Sequence, residues 1–155
     1  MLGQDKAKLD ISDYLSGKKE LKDLLGFSQQ DIVNLKGRAQ FFLDGGHEER
    51  ALIMLEMVEE LDRKDSAATL AAARLLARRG ESTSALEKLT LLKYRLGELP
   101  MILFLEAEIL VNIGRVVEAA PLLRSVVVNV QTSSALLSEA RSLLTHIEKF
   151  AQVAN

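Results

Sequence analysis

The sequence predicts an all-α fold, a solenoid of three helix pairs preceded by a short helical segment and closed by a capping helix. Three observations carry that expectation. From Ile32 to Ser133 the chain repeats with a period of 34 residues. Small residues recur in register, Ala39, Ala73 and Ala107 in one column and Ala51, Ala85 and Ala119 in another, with Leu55, Leu89 and Leu123 behind them. Between the two alanine columns stand Gly46, Gly80 and Gly114, each four residues after a large apolar residue at Phe42, Leu76 or Leu110.

Each column has a physical reason. Within a unit, the first alanine and the large residue three positions on share one face of helix A, and the second alanine lets helix B approach that face closely. The glycine supplies a turn that other residues enter only at a steric cost, where a helix C-terminus is expected. The boundaries that follow are an N-terminal helical segment over residues 1–31, repeats over 32–65, 66–99 and 100–133, and a capping helix over 134–155, together one structural domain.

In the N-terminal segment, Leu9, Ile11, Tyr14 and Leu15 place an apolar stripe on a short helix closed near Gly17. A second short helix is expected from Lys18 to Leu25, ending at Gly26, and its Leu21, Leu24 and Leu25 need a partner, either the first repeat or a second copy of the chain. Ser28 with Asp31 forms a capping-box-like start, so the first long helix is expected from Gln29 to Leu43. Glu48 and Glu49 suit the positive end of the next helix, whose apolar face is Ala51, Leu52, Leu55, Val58 and Leu61.

Repeat two opens with Asp65 or Ser66 as cap and runs to Arg78-Arg79-Gly80, and its second helix ends at Gly97. Pro100 fits the first turn of the following helix, where a missing N–H leaves no bond unmade. Pro121 is the one departure, tolerable if its helix starts near Glu118. A last helix from Ala135 to Ala151 lacks the glycine and alanine columns and is expected to cover the open face of repeat three.

Composition narrows the function. Twenty Lys and Arg are interleaved with 22 Asp and Glu, for a net charge of −2, which argues against nucleic acid as a partner. With no cysteine there is neither disulfide nor thiol chemistry. The N-terminus MLGQDKAKLD lacks the apolar core of a secretory signal, and the apolar run from Met101 to Val111 is broken by Glu106 and Glu108, so no membrane partner is expected.

No catalytic constellation stands out, and no metal or cofactor is expected. His47 and His146 are the only histidines and have no neighbouring ligands at metal spacing. Gly45-Gly46 is followed by no lysine and hydroxyl of a phosphate loop. What remains is the face formed by the first helix of each pair. The repeat alignment turns inward Val33, Lys36, Gln40 and Leu43 in repeat one, Ala67, Leu70, Arg74, Ala77 and Arg78 in repeat two, and Met101, Phe104, Glu108, Val111 and Asn112 in repeat three. Leu70, Phe104 and Val111 with small Ala67 and Ala77 offer pockets to apolar side chains of a peptide, and Lys36, Arg74 and Arg78 can meet its carbonyls or acids. Two readings stand: a docking groove for a protein or peptide client, or a floor covered by the flanking segments.

The 34-residue unit resembles the tetratricopeptide repeat, which implies a right-handed solenoid. Within that family, the clamp that binds heat-shock protein carboxyl ends is matched only by Lys36, since Gln40, Ala71, Met101 and Leu105 occupy the other positions. The layout over nearly the whole chain is similar to the class II chaperones of type III secretion translocators. Local echoes are Leu61-Asp62 with Asp65-Ser66, Pro100 followed by Glu106-Ala107-Glu108, and Gly114 with Glu118-Ala119. Repeat two, with Arg74 to Gly80 and Ser84-Ala85-Leu86, also resembles the needle-subunit chaperones. The resemblance implies a non-enzymatic, bacterial cytoplasmic chaperone holding a secreted hydrophobic subunit, with a homodimer through the N-terminal segment as one option. A needle-subunit chaperone, or an adaptor joining two proteins, is the alternative.

Overall fold

The structure, a computed structural model, describes residues 11–153, with side-chain surroundings through residue 149. Nine α-helices and no strand occur among the described residues: α1 (Ile11–Leu15), α2 (Leu21–Leu25), α3 (Gln29–Asp44), α4 (Glu48–Leu61), α5 (Ser66–Arg78), α6 (Ser82–Leu96), α7 (Pro100–Asn112), α8 (Val116–Val128) and α9 (Ser134–Val153). The all-α expectation holds. The start of the N-terminal stripe at Leu9 lies outside the described residues.

The glycine column does what its spacing requires. Gly46, Gly80 and Gly114 have φ of 75°, 80° and 80°. At each, the glycine N–H donates to the carbonyl three residues back, and the next residue's N–H reaches five residues back, to Phe42 (2.8 Å), Leu76 (2.9 Å) and Leu110 (2.8 Å). These are the two bonds of a Schellman C-cap, and the accepting residues are the large apolar column read from the sequence. At Leu76 and Leu110 one residue therefore serves the turn with its carbonyl and the core with its side chain.

Two compact units divide the chain, residues 1–72 and 73–155, with the boundary inside α5. In the first unit α3 packs along α4, with Ile32, Ala39, Ala51, Leu55 and Val58 buried. Ser28 caps α3 as expected: its Oγ and N–H both meet the Asp31 carboxylate, and the Asp31 N–H returns to Ser28 Oγ at 3.2 Å. The second short helix begins at Leu21 rather than Lys18. Lys18 and Lys19 are spent in the preceding turn, both N–H groups donating to the Asp13 carbonyl at 2.9 and 3.1 Å.

A polar clasp ties α2 to the end of α4 in this unit. Lys22 pairs with Asp62, the Arg63 N–H donates to Glu20 at 3.2 Å, and the Arg63 guanidinium lies over the Tyr14 ring and bonds its hydroxyl at 3.0 Å. Asp65 caps α5, accepting from the Ala68 N–H at 3.0 Å through one oxygen while Lys36 Nζ donates to the other at 2.5 Å.

In the second unit α7 is central, packed by α6, α8 and α9, and is accordingly apolar on nearly every side. Leu103, Phe104, Ala107 and Leu110 of α7 join Ala119, Leu123 and Val126 of α8 and Leu136, Ala140 and Ile147 of α9 in one core. Pro100 opens α7 at its first turn, as expected. Pro121 does not: α8 starts at Val116, which places the proline inside the helix. The carbonyl its N–H would have satisfied belongs to Val117, which is 89 % exposed and open to water. No helix among the described residues is long and apolar enough to cross a membrane.

Candidate functional site

In the second unit three helices build a cavity of about 580 Å³. The last turn of its α5 portion gives Arg74, Ala77 and Arg78, α7 gives Met101, Phe104, Leu105, Glu108, Ile109 and Asn112, and the start of α9 gives Ala135, Leu136 and Glu139. These α7 residues share a face because they recur at three- and four-residue steps. α9 is placed by its own start, where the Leu136 N–H reaches Ser133 Oγ at 3.3 Å. Phe104, Leu105, Ile109 and Leu136 are buried and make an apolar floor, while both arginines, Asn112, Ala135 and Glu139 stand exposed at the rim.

A second cavity, also about 580 Å³, continues along α7 and α9 and shares Phe104, Glu108 and Glu139 with the first. Ser138, Ser142, Leu143 and His146 complete it. The two carboxylates thus stand where the cavities meet. Burial pushes the Glu108 carboxyl above its ordinary range, the nearby Glu139 adds to the rise, and Arg74 opposes it. The Arg74 guanidinium itself is directed at the Met101 sulfur.

Of the residues read from sequence, Arg74, Ala77, Arg78, Met101, Phe104, Glu108 and Asn112 come together in the first cavity. Val111 packs against the core cluster instead, and Phe104, at 6 % exposure, is as much core as lining. In the first unit Lys36 is engaged with Asp65, and Gln40 donates to Asp44 at 2.7 Å. Leu43 and Leu70 are half-buried there and Ala67 is exposed. The α9 residues Ala135, Leu136 and Glu139 were not anticipated. Their signal is the i, i+1, i+4 run of small, apolar and acidic residues at the start of a helix read only as a cap.

Among the described residues, no group of three or more His, Cys, Asp or Glu side chains is arranged to hold a metal. His47 sits at the turn before α4, its ring edge-on to Phe42 with centroids 6.4 Å apart. An apolar floor with both signs of charge at its rim is suited to hold a chain segment by burial and to orient it by charge.

The fold is similar to that of tetratricopeptide-like helical proteins of known structure. Among solved structures, the Yersinia enterocolitica type III secretion translocator chaperone SycD matches with a TM-score of 0.75 at 21% identity, over 83% of this chain and 98% of its own. A type III secretion complex from Aeromonas hydrophila matches with a TM-score of 0.79 at 16% identity, over 92% of this chain and 97% of its own. Pseudomonas aeruginosa PcrH, in complex with the chaperone binding region of PopB, matches with a TM-score of 0.69 at 19% identity, over 77% of this chain and 98% of its own. No protein-family model and no curated protein matches the sequence. At these identities the likeness is one of fold.

Proposed function

We propose that this chain is a bacterial cytoplasmic type III secretion chaperone that keeps a hydrophobic translocator subunit unassembled by holding one of its apolar segments in the cavity strip of α5, α7 and α9. The observation that carries the reading is a cavity floored by the buried side chains of Phe104, Leu105, Ile109 and Leu136 and rimmed by the exposed Arg74, Arg78 and Glu139. A preformed apolar groove of this volume shields a segment with no nucleotide or covalent chemistry. The fold shared with PcrH, whose structure holds a chaperone binding region, supports it. In the first unit Leu43, Ala67 and Leu70 are secondary apolar candidates; Lys36 and Gln40 are engaged within the chain. Copies of the chain pair through α1 and α2, whose Ile11, Leu15 and Leu25 are more than half exposed.

The test is co-expression with type III secretion translocator and needle subunits, followed by pull-down, with the wild type and an Ala77→Gln, Ala135→Gln variant. Both alanines line the cavity, one half-buried and one exposed, and glutamine is a good helix former, so helicity should be unchanged. The wild type is expected to retain the translocator and the variant to lose it, by at least about tenfold in affinity. Retention of the needle subunit alone would assign the client to that class, and full retention by the folded variant would move binding off this cavity.

A further inference from the structure

The two carboxylates at the junction of the cavities have no role in shielding an apolar segment, and a purely apolar client would be expected to do better without them. Glu108 projects from α7 and Glu139 from α9, and each lines both cavities beside the Phe104 ring. Glu108 is half-buried, and Glu139 acts on it with like charge. Arg74 influences Glu108 only through space, its own hydrogen bond going to Met101. Two acids flanking an apolar ring at the waist of one groove are complementary to a single side-chain type: an aliphatic stem that lies on apolar surface and ends in a cation. A bare divalent ion is a poorer match, since it requires six or more oxygen ligands and two carboxylates supply a minority of them.

We infer that the groove reads a lysine or arginine within the client's apolar segment, with the stem over Phe104 and the cationic head between Glu108 and Glu139. This deepens the client-binding reading and rests on it. The pair then acts as the register mark of the groove: apolar side chains alone leave an extended segment free to slip, whereas a cation seated between two acids fixes one position.

The experiment uses the full chain and short peptides displayed on phage as the probe. Peptides selected on the wild type are expected to carry a lysine or arginine flanked by apolar residues at constant spacing. One such peptide is then remade with norleucine in place of the lysine or arginine, and both versions are titrated against the wild type and a Glu108→Gln, Glu139→Gln variant. For the wild type the norleucine change should weaken binding at least about tenfold, as expected for a charge-assisted hydrogen bond, and for the glutamine variant it should have little effect. Glutamine is near-isosteric and removes like charge, so the variant should melt no lower than the wild type. Equal losses for both proteins, or selected peptides without a cation that still depend on Ala77 and Ala135, would overturn the cation site and leave the groove reading standing. No selectable peptide, or peptides indifferent to the Ala77→Gln, Ala135→Gln variant, would overturn both.

Discussion

Glycine has opposite consequences at two kinds of position in this chain. Gly114 holds a φ of 80° with open space where a Cβ would go, so replacing it with alanine meets no clash and costs only the strain of a left-handed backbone, about 1 kcal/mol. Gly37 lies inside α3 with no positive φ, exposed, and also with open space around it. Gly37→Ala is therefore expected to stabilise the protein by about 0.5–1 kcal/mol, because alanine loses less backbone freedom on entering a helix. Urea denaturation of the two variants checks the pair. A Gly114→Ala protein as stable as the wild type would remove the physical basis claimed for the glycine column.

At the scale of elements, the start of α5 combines a cap and an ion pair in one side chain. Asp65 accepts from the Ala68 N–H and from Lys36, and although burial pushes its carboxyl up, these bonds hold it below the ordinary value of 3.8. A carboxyl depressed in the folded state contributes stability that is present above its unfolded value and lost as pH falls through the lower folded value. Asp65→Ala is expected to cost about 1–2 kcal/mol near neutral pH through the lost cap. Asp65→Asn, which can still cap, should cost less, and its deficit against the wild type should shrink as pH drops below 3.8 in chemical denaturation. A deficit independent of pH would show that the ion pair contributes nothing. The same residue marks how far the sequence could be read. Ser28 with Asp31, and each column glycine in a C-cap whose second bond ends on the apolar residue four positions before it, are contained within a few residues, so spacing alone exposes them. Lys36 was read as a groove cation because its partner stands 29 residues away, and Lys22 finds Asp62 across 40. The seven cavity residues that were legible lie on α5 and α7, inside the period. Glu139 and its neighbours lie on α9, outside it, where no column says which face turns inward.

For the whole molecule, the proposed pairing of copies rests on the exposed apolar edge of the N-terminal segment. Ile11 is 58 % exposed, Leu15 77 % and Leu25 55 %, while Leu21 and Leu24 are half-buried, so this segment turns some apolar groups inward and presents others to water. The clasp of Lys22 with Asp62 and Arg63 with Tyr14 and Glu20 holds the two short helices against the end of α4, where they present the edge without having to order it on contact. Pre-ordering lowers the entropic cost of association, and in the proposed dimer three exposed apolar side chains per copy, duplicated across a two-fold interface, would give a compact hydrophobic centre. Sedimentation at micromolar concentration is expected to show a dimer for the full chain and a monomer for a Leu15→Lys, Leu25→Lys variant, whose charges would face their own copies. Truncation of residues 1–26 should shift the mass in the same way, but it also exposes Asp62 without Lys22, so the lysine variant is the cleaner measurement. If the full chain and the lysine variant both sediment as monomers, the N-terminal helices serve only to cover the end of the first unit.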